Sequence, residues 1–558
     1  MQIPYGAVFV LIALLSLLRF IKSKPPARAP PLPPGPRGLP IVGNLPFLKP
    51  DLHVYFQGLA LKYGPIFKLR LGAKLAVVVT HHHGPHRRLR RGGLNAGNLP
   101  FLKPDLHVYF QGLALKYGPI FKLRLGAKLA VVVTSPAVAR EMFKIHDVIF
   151  ANREATTTAL IAVYGGGDLM LSPYGPQWRM LRKVCVHKLL TKATLDSSNG
   201  LRHREIRQTV RYLGDRARVG SPVNIGEQMF GTILNVVTQM LWGATVLSEE
   251  REKIAAEFRE LVSEIVSLTS RPNISDFFPG LSRFDLQGLA KQMRGLIQRL
   301  DRMFDPIIDQ RLRMIGLGQN DADDFLQVLL KLREEDETTP LSLSHVKALL
   351  MDMVLAGTET SSNTIEFAMA ELISKPKIMK RVQEELDEVV GDDKRVEEHH
   401  ISELPYLLAV VKESLRLHPV APILFPHRSS QTTVIAGYTI PKDTTVFFNM
   451  WAIQRDPSLW DDPLEFNPDR FLDKSFEFNG EDCSYLPFGS GRRICAGIAL
   501  AERTVLYNLA TLLHLFDWEA PGGHELVIEE KFGTALRLKN PLVAVPVPRL
   551  SDPSLYLR

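Results

Sequence analysis

Cysteine is scarce in this chain: Cys185, Cys483 and Cys495 are the only three in 558 residues, and no two stand in a C-x-x-C spacing. That excludes a disulfide framework and a zinc site built on paired thiols, and it points to a reducing compartment. A single cysteine with a task of its own remains open. Glycine-rich turns of the strand-to-helix kind that cradle phosphates are missing too, so any nucleotide chemistry must belong to another protein. Charge of one sign is absent from most of the sequence, although the formal net charge of +9 suggests otherwise. Residues 43–96 alone carry nine basic side chains (Lys49, Lys62, Lys68, Arg70, Lys74, Arg87, Arg88, Arg90 and Arg91) against one acid, Asp51. Their surplus of +8 leaves +1 for everything else. A basic surface spread over the body, as nucleic-acid binding requires, is therefore excluded.

The same stretch holds a repeat. Residues Gly43–Thr80 return without a change at Gly97–Thr134, 54 positions later, with HHHGPHRRLRRGGLNA (81–96) between them. Solenoid repeats diverge and number three or more, so one perfect copy reads as a tandem duplication or a faulty gene model. His81, His82, His83 and His86 read as part of a solvated basic run, not a metal site. Each copy predicts a helix (about Asp51 to Lys62 in the first) and two strands, Pro65–Leu71 and Leu75–Thr80. Two identical hairpins compete for one place in a sheet. The second runs straight into Ser135-Pro136, a helix cap with proline in the first turn. It is expected to dock, leaving the first displaced.

Four segments result. Residues 1–21 are an expected transmembrane anchor: Ile3–Leu18 is almost wholly apolar, Arg19, Lys22, Lys24 and Arg28 follow, and no acid precedes Asp51. A cleaved signal would carry its charges ahead of the apolar run, and a basic flank behind it stays cytosolic. Residues 22–42 are a stiff proline-rich hinge, 43–96 the duplicated insert, and 97–558 one large globular domain.

Chemistry concentrates near the carboxyl end in PFGSGRRICAG, Pro487–Gly497. Gly489, Gly491 and Gly497 permit a tight loop around Cys495, and the apolar run behind it has helical periodicity. Cys495 thus stands by a helix amino terminus, where partial positive charge favours a thiolate. A second helix, about Val346 to Ser374 and stopped by Pro376, would span over about 40 Å at about 1.5 Å per residue. Its middle reads Ala356-Gly357-Thr358-Glu359-Thr360, which predicts a local distortion with polar groups lining a cavity. Glu413 and Arg416 share a helical face, and so do Trp178 and Arg182.

The cysteine loop, with Phe488, Gly491, Arg493, Cys495 and Gly497 in register, resembles the haem-binding loop of the cytochromes P450. AGTET resembles that family's oxygen-activating motif, and Glu413, Arg416 and Arg470 resemble its structural network, with Asp469 where glutamate is more usual. The resemblance covers roughly residues 31–548 apart from the insert. It implies a mainly α fold with small β-sheets and a haem b whose iron is ligated by Cys495. Phe488, Gly491 and Arg493 would shape the cofactor loop, while Trp178, Arg182, His427 and Arg493 would donate to the haem propionates. Glu359 and Thr360 would deliver protons to dioxygen through water. The implied activity inserts one oxygen atom into a lipophilic small molecule, with electrons from NADPH through a cytochrome P450 reductase meeting Arg179, Lys183 and Arg492. An endoplasmic reticulum membrane protein, single-pass with a cytosolic catalytic domain, follows. DLMLSPYGPQWRMLRKVCVHKLL and DFFPGLSRFDLQG are similar to segments of plant microsomal members acting on terpenoids or phenolics such as flavonoids. Substrate contacts are expected from residues 150–172, 277–279, 420–425 and 532–536. Two alternatives stand beside this: an isomerase or dehydratase on the same fold, and an inert product of the duplicated gene.

Overall fold

A computed structural model describes residues 66–71, 74–79, 105–125, 128–243, 248–269, 271–318, 324–335, 341–472, 476–521, 526–533 and 535–557. The expected anchor (1–21), the hinge (22–42), the first-copy helix and the His/Arg spacer lie outside these residues. Among those described, no helix is long and apolar enough to cross a membrane.

Helices dominate, and six of them frame the site: α1 (Leu106–Tyr117), α2 (Pro176–Val184), α3 (Ile225–Trp242), α4 (Leu343–Ser374), α5 (Pro405–Leu417) and α6 (Ile498–Leu515). The fold turns on α4. Its start is set by Ser342, whose hydroxyl accepts the His345 amide at 3.2 Å while His345 Nδ1 accepts the Ser342 amide at 3.2 Å, a reciprocal cap that satisfies two orphan donors. Its end is set by Pro376, which lacks an N–H and disfavours helical backbone at Lys375. Between these ends every residue from Ser361 to Leu372 is buried and so are most before it, the gap falling at residues 355–357 and 359–360. It packs on α3, α5 and α6.

α4 runs as one helix through Gly357, and the polar groups expected there, Glu359 and Thr360, line a cavity. Thr360 Oγ1 donates to the Ala356 carbonyl at 2.6 Å and Thr364 Oγ1 to the Thr360 carbonyl at 2.8 Å. The hydroxyls share the helix's own carbonyls, back-bonding of the kind that often bends a helix.

A smaller apolar core lies under the β-structure. The first repeat copy forms a hairpin of its own, β1 (Ile66–Leu71) and β2 (Lys74–Val79), with Ile66 opposite Val79. The second copy forms β3 (Ile120–Leu125) and β4 (Lys128–Val133) in the same register, Ile120 opposite Val133. Only the second is hydrogen-bonded into the five-stranded sheet, with β5 (Asn152–Arg153), β6 (His427–Arg428) and β7 (Thr445–Phe448), in the order β3-β4-β7-β6-β5. β4 and β7 are parallel, Thr445 opposite Ala130. Beside them, β5 and β6 bring Arg153 opposite His427. A separate hairpin of β8 (Glu530–Lys531) and β9 (Arg537–Leu538) reaches α4, where Asn363 Nδ2 donates to the Leu536 carbonyl at 2.9 Å.

Candidate active site

The cysteine loop is closed by its own backbone: the Cys495 amide donates to the Phe488 carbonyl at 2.9 Å. Two glycines make the turn, Gly489 at φ +73° and Gly491 at φ +65°, a region that strains other residues. A Cβ at Gly491 would also stand 2.6 Å from Asp147 Oδ1. Gly497, at φ −95°, has no such need, contrary to the expectation that all three glycines strain the loop. Nor does Gly491 touch the cavity: it lies behind the loop, against Asp147. The Gly497 amide donates to Cys495 Sγ at 3.3 Å. That bond and the Arg182 cation favour a thiolate, but burial outweighs them and the thiol is pushed up overall. The helix terminus by itself is not enough to ionise it.

Cys495, Phe488, Arg493, Trp178, Arg182, His427, Glu359 and Thr360 all line one cavity of about 1280 Å³. That exceeds the range of about 300–1,000 Å³ that holds a drug-sized ligand, and leaves room for a large planar cofactor with a substrate beside it. Glu359 is half-buried in its wall, and burial, only partly offset by Arg537, pushes its carboxyl up to about 7. It can therefore hold a proton at neutral pH.

One wall is cationic. Arg493 is engaged with backbone carbonyls, donating to Ala151 at 2.6 Å, to Leu169 at 3.2 Å and to Ser172, and its guanidinium stacks 4.3 Å from the Trp178 ring. The Trp178 indole donates to the Leu169 carbonyl at 2.9 Å. His427 Nδ1 donates to the Phe150 carbonyl at 2.7 Å, and burial followed by Arg153 keeps its ring neutral. Arg182 lacks a hydrogen-bond partner among the described residues. Arg153, which sequence reasoning placed in a substrate loop without singling it out, uses Nη1 on the Phe425 carbonyl at 2.6 Å while its buried Nε has no partner. Burial first, then Arg493, lowers the Arg153 guanidinium to about 9; burial also lowers Arg493 to about 10. Three crowded guanidiniums with spare donors are what a buried dianion would satisfy. A signal was available, since Arg153 is the only Lys or Arg between Lys144 and Arg179.

The expected structural network forms away from the cavity. Glu413 and Arg416 are fully buried, joined through Nε at 2.6 Å and Nη2 at 2.9 Å; Arg416 also donates to the carbonyls of Gln454, Pro463 and Glu465. Arg470 Nε reaches Glu413 at 3.1 Å. Asp469 takes no part, pairing instead with Arg381 at the surface, 2.6 Å away, so its shorter side chain does not affect the network.

Of the expected substrate loops, Val420–Phe425, Phe532, Gly533 and Ala535, and much of residues 153–171 line the cavity; Phe277, Phe278 and Pro279 do not. Phe277 packs on the smaller core instead. Arg179 and Lys183 are exposed on α2, whereas Arg492 is held by Asp147 and by Tyr174 at 3.0 Å.

The sequence profile described as Cytochrome P450 matches residues 33–96 and 90–545. The chain belongs to the cytochrome P450 family. The break in that match falls where the repeat does. Curated relatives include a flavonoid 3'-monooxygenase of Crocosmia x crocosmiiflora, 38% identical over 94% of this chain and 94% of the relative. A flavonoid 3'-monooxygenase of Arabidopsis thaliana is 41% identical over 82% of this chain and 91% of the relative. The carnosic acid synthase of Salvia fruticosa is 40% identical over 83% and 96%. A zebra fish cytochrome P450 solved with progesterone superposes with a TM-score of 0.69 at 26% identity, over 79% of this chain and 99% of that one. The protein is a cytochrome P450 monooxygenase of the plant type, mainly α with small sheets, using haem with cysteine-thiolate ligation, a redox partner and lipophilic substrates. The cationic wall and the lone sulfur fit that cofactor: guanidiniums with spare donors suit two carboxylates, and Cys495 is the only cysteine lining the cavity.

Proposed function

We propose that this cytochrome P450 oxidises a flavonoid or terpenoid, with Cys495 as the iron ligand and Glu359 and Thr360 as the proton-handling pair. The observation carrying this reading is one largely apolar cavity reached both by the Cys495 sulfur and by a carboxyl that keeps its proton to about pH 7. The haem, when bound, supplies dioxygen activation, one oxygen atom entering the substrate and the other leaving as water. The chain's residues do the rest. Arg153, Arg182, Arg493, Trp178 and His427 would surround the haem carboxylates, and Phe488 would close the loop that carries the sulfur. Thr360, its proton engaged by the Ala356 carbonyl, offers oxygen lone pairs to water, while Glu359 releases its proton from the carboxyl oxygen. Apolar side chains of Val420–Phe425, Phe532 and Ala535 exclude bulk water and hold the substrate. The relatives' names support the substrate class.

Electrons come from NADPH through a cytochrome P450 reductase, docked near the exposed Arg179 and Lys183. Residues 1–21 anchor the chain in the endoplasmic reticulum membrane through the hinge at 22–42, with the domain 97–558 in the cytosol and 43–96 a dispensable insert. The test is to express the full chain and a form lacking 43–96 with a plant reductase, and to incubate each with flavonoid and diterpenoid substrates. NADPH-dependent products heavier by one oxygen atom are expected from both forms. Haem uptake without NADPH-dependent oxygen consumption would identify an isomerase, and no haem uptake by the full chain would mark it as inert.

A further inference from the structure

Asp352 lies on α4 two turns before Glu359, 2% exposed, on the cavity wall. A carboxyl buried in an apolar helix is costly unless its oxygens are bonded. One oxygen, Oδ2, accepts the Leu169 amide at 2.5 Å; Oδ1 has no partner. The Leu169 peptide faces two ways. Its N–H is fixed by Asp352, and its carbonyl receives both the Trp178 indole at 2.9 Å and Arg493 Nη1 at 3.2 Å. Asp168, completely buried, shapes the same turn by accepting the Leu171 amide at 2.7 Å and the Ser172 hydroxyl at 3.4 Å. The Ser172 carbonyl in turn receives Arg493 Nη2. Two carboxyls therefore fold residues 168–172 into a cradle whose carbonyls aim an indole and a guanidinium. Burial pushes both carboxyls up, and Asp168 raises Asp352 further.

We propose that Asp352 is a positioning residue for the cofactor: through the Leu169 peptide it sets the Trp178 indole and the Arg493 guanidinium that face the haem carboxylates. α4 is thereby tied by one peptide unit to the side chains that would hold the haem carboxylates, seven residues from Glu359. Asp352 acts as a hydrogen-bond acceptor and touches neither substrate nor iron. Its function does not require a negative charge, so an amide serves equally well. The inference rests on the haem site and not on the choice of flavonoid or terpenoid.

The experiment uses the full-length, haem-loaded chain and the variants Asp352→Asn, Asp352→Ala, Trp178→Phe and Asp352→Ala/Trp178→Phe. Haem loss is followed by transfer to excess apomyoglobin, and the midpoint reduction potential is measured alongside. Asp352→Asn should stay within about twofold of the parent. Asp352→Ala should lose haem about tenfold faster with a displaced potential, as expected when a bond to a charged group loses its alignment. Adding Trp178→Phe to Asp352→Ala should bring little further change, because both act through Leu169. Independent, multiplying effects would overturn the proposal, as would parental haem loss in Asp352→Ala or equal damage from Asp352→Asn. Should Asp352→Ala not accumulate with haem, Asp352→Glu decides: a potential shift in the direction seen for Trp178→Phe supports the link, and an unchanged potential sinks it. If Cys495→Ser leaves the haem spectrum unchanged, the site itself fails, whatever the Asp352 variants do.

Discussion

Replacing Arg153 by glutamine should move the haem-free and haem-loaded chains in opposite directions. In the haem-free cavity the guanidinium is lowered to about 9, by burial first and by Arg493 second, an unfavourable environment on the order of a few kcal/mol. Removing the cation gives up the hydrogen bond to the Phe425 carbonyl, about 1 kcal/mol, and relaxation of the cavity recovers part of the remainder. A net stabilisation of about 1–3 kcal/mol is the expected outcome for the haem-free chain. In the loaded chain the same change deletes a charge-assisted hydrogen bond to a carboxylate, worth about 1.5–3 kcal/mol, so haem should dissociate roughly 10- to 100-fold faster. Urea unfolding of the haem-free protein and haem transfer from the loaded protein measure the two halves separately. Destabilisation of both forms, or unchanged haem loss, would refute the idea that this wall awaits an anion.

Removing Glu413 strands a fully buried guanidinium, so Glu413→Ala should cost about 3–5 kcal/mol in urea unfolding. Glu413→Gln keeps acceptors for Arg416 and the Asn467 amide (2.7 Å) and should cost about 1–3 kcal/mol; equal losses would contradict the buried-charge argument. The carboxyl of Glu359 is raised, so its proton is present below about pH 7 and is lost as pH climbs through that value. The parent's kcat should therefore decline on the alkaline side, while Glu359→Gln should be slower by about 10²-fold and lack that limb. A pH profile of Glu359→Gln that overlays the parent's would rule this proton source out.

What could be read in the chain beforehand was local. Pro487–Gly497 encodes its own turn, and Pro376 marks the end of α4 at Ser374, whereas its start, expected about Val346, lies at Leu343 behind the Ser342 cap. Helical spacing alone paired Glu413 with Arg416. What escaped depends on contacts between distant segments. Arg153 meets His427 only because two short strands pair across 274 positions, and no local pattern announces that. The Leu169 carbonyl matters through an indole nine positions away and a guanidinium 324 positions away, invisible to any reading of side chains. The back-bonding of Thr360 to Ala356 also escaped, because spacing does not say whether a threonine hydroxyl points outward or bonds back along its helix. How the free thiol titrates also escaped, because burial, a tertiary quantity, pushes it up; the thiolate belongs to the iron-ligated state that the family implies.

The most direct test is the reduced, carbon-monoxide-bound spectrum of the full-length chain beside that of Cys495→Ser. A strongly red-shifted Soret band in the parent, lost in the variant together with NADPH-dependent turnover, is the predicted result. A variant that retains both the band and the turnover would contradict it.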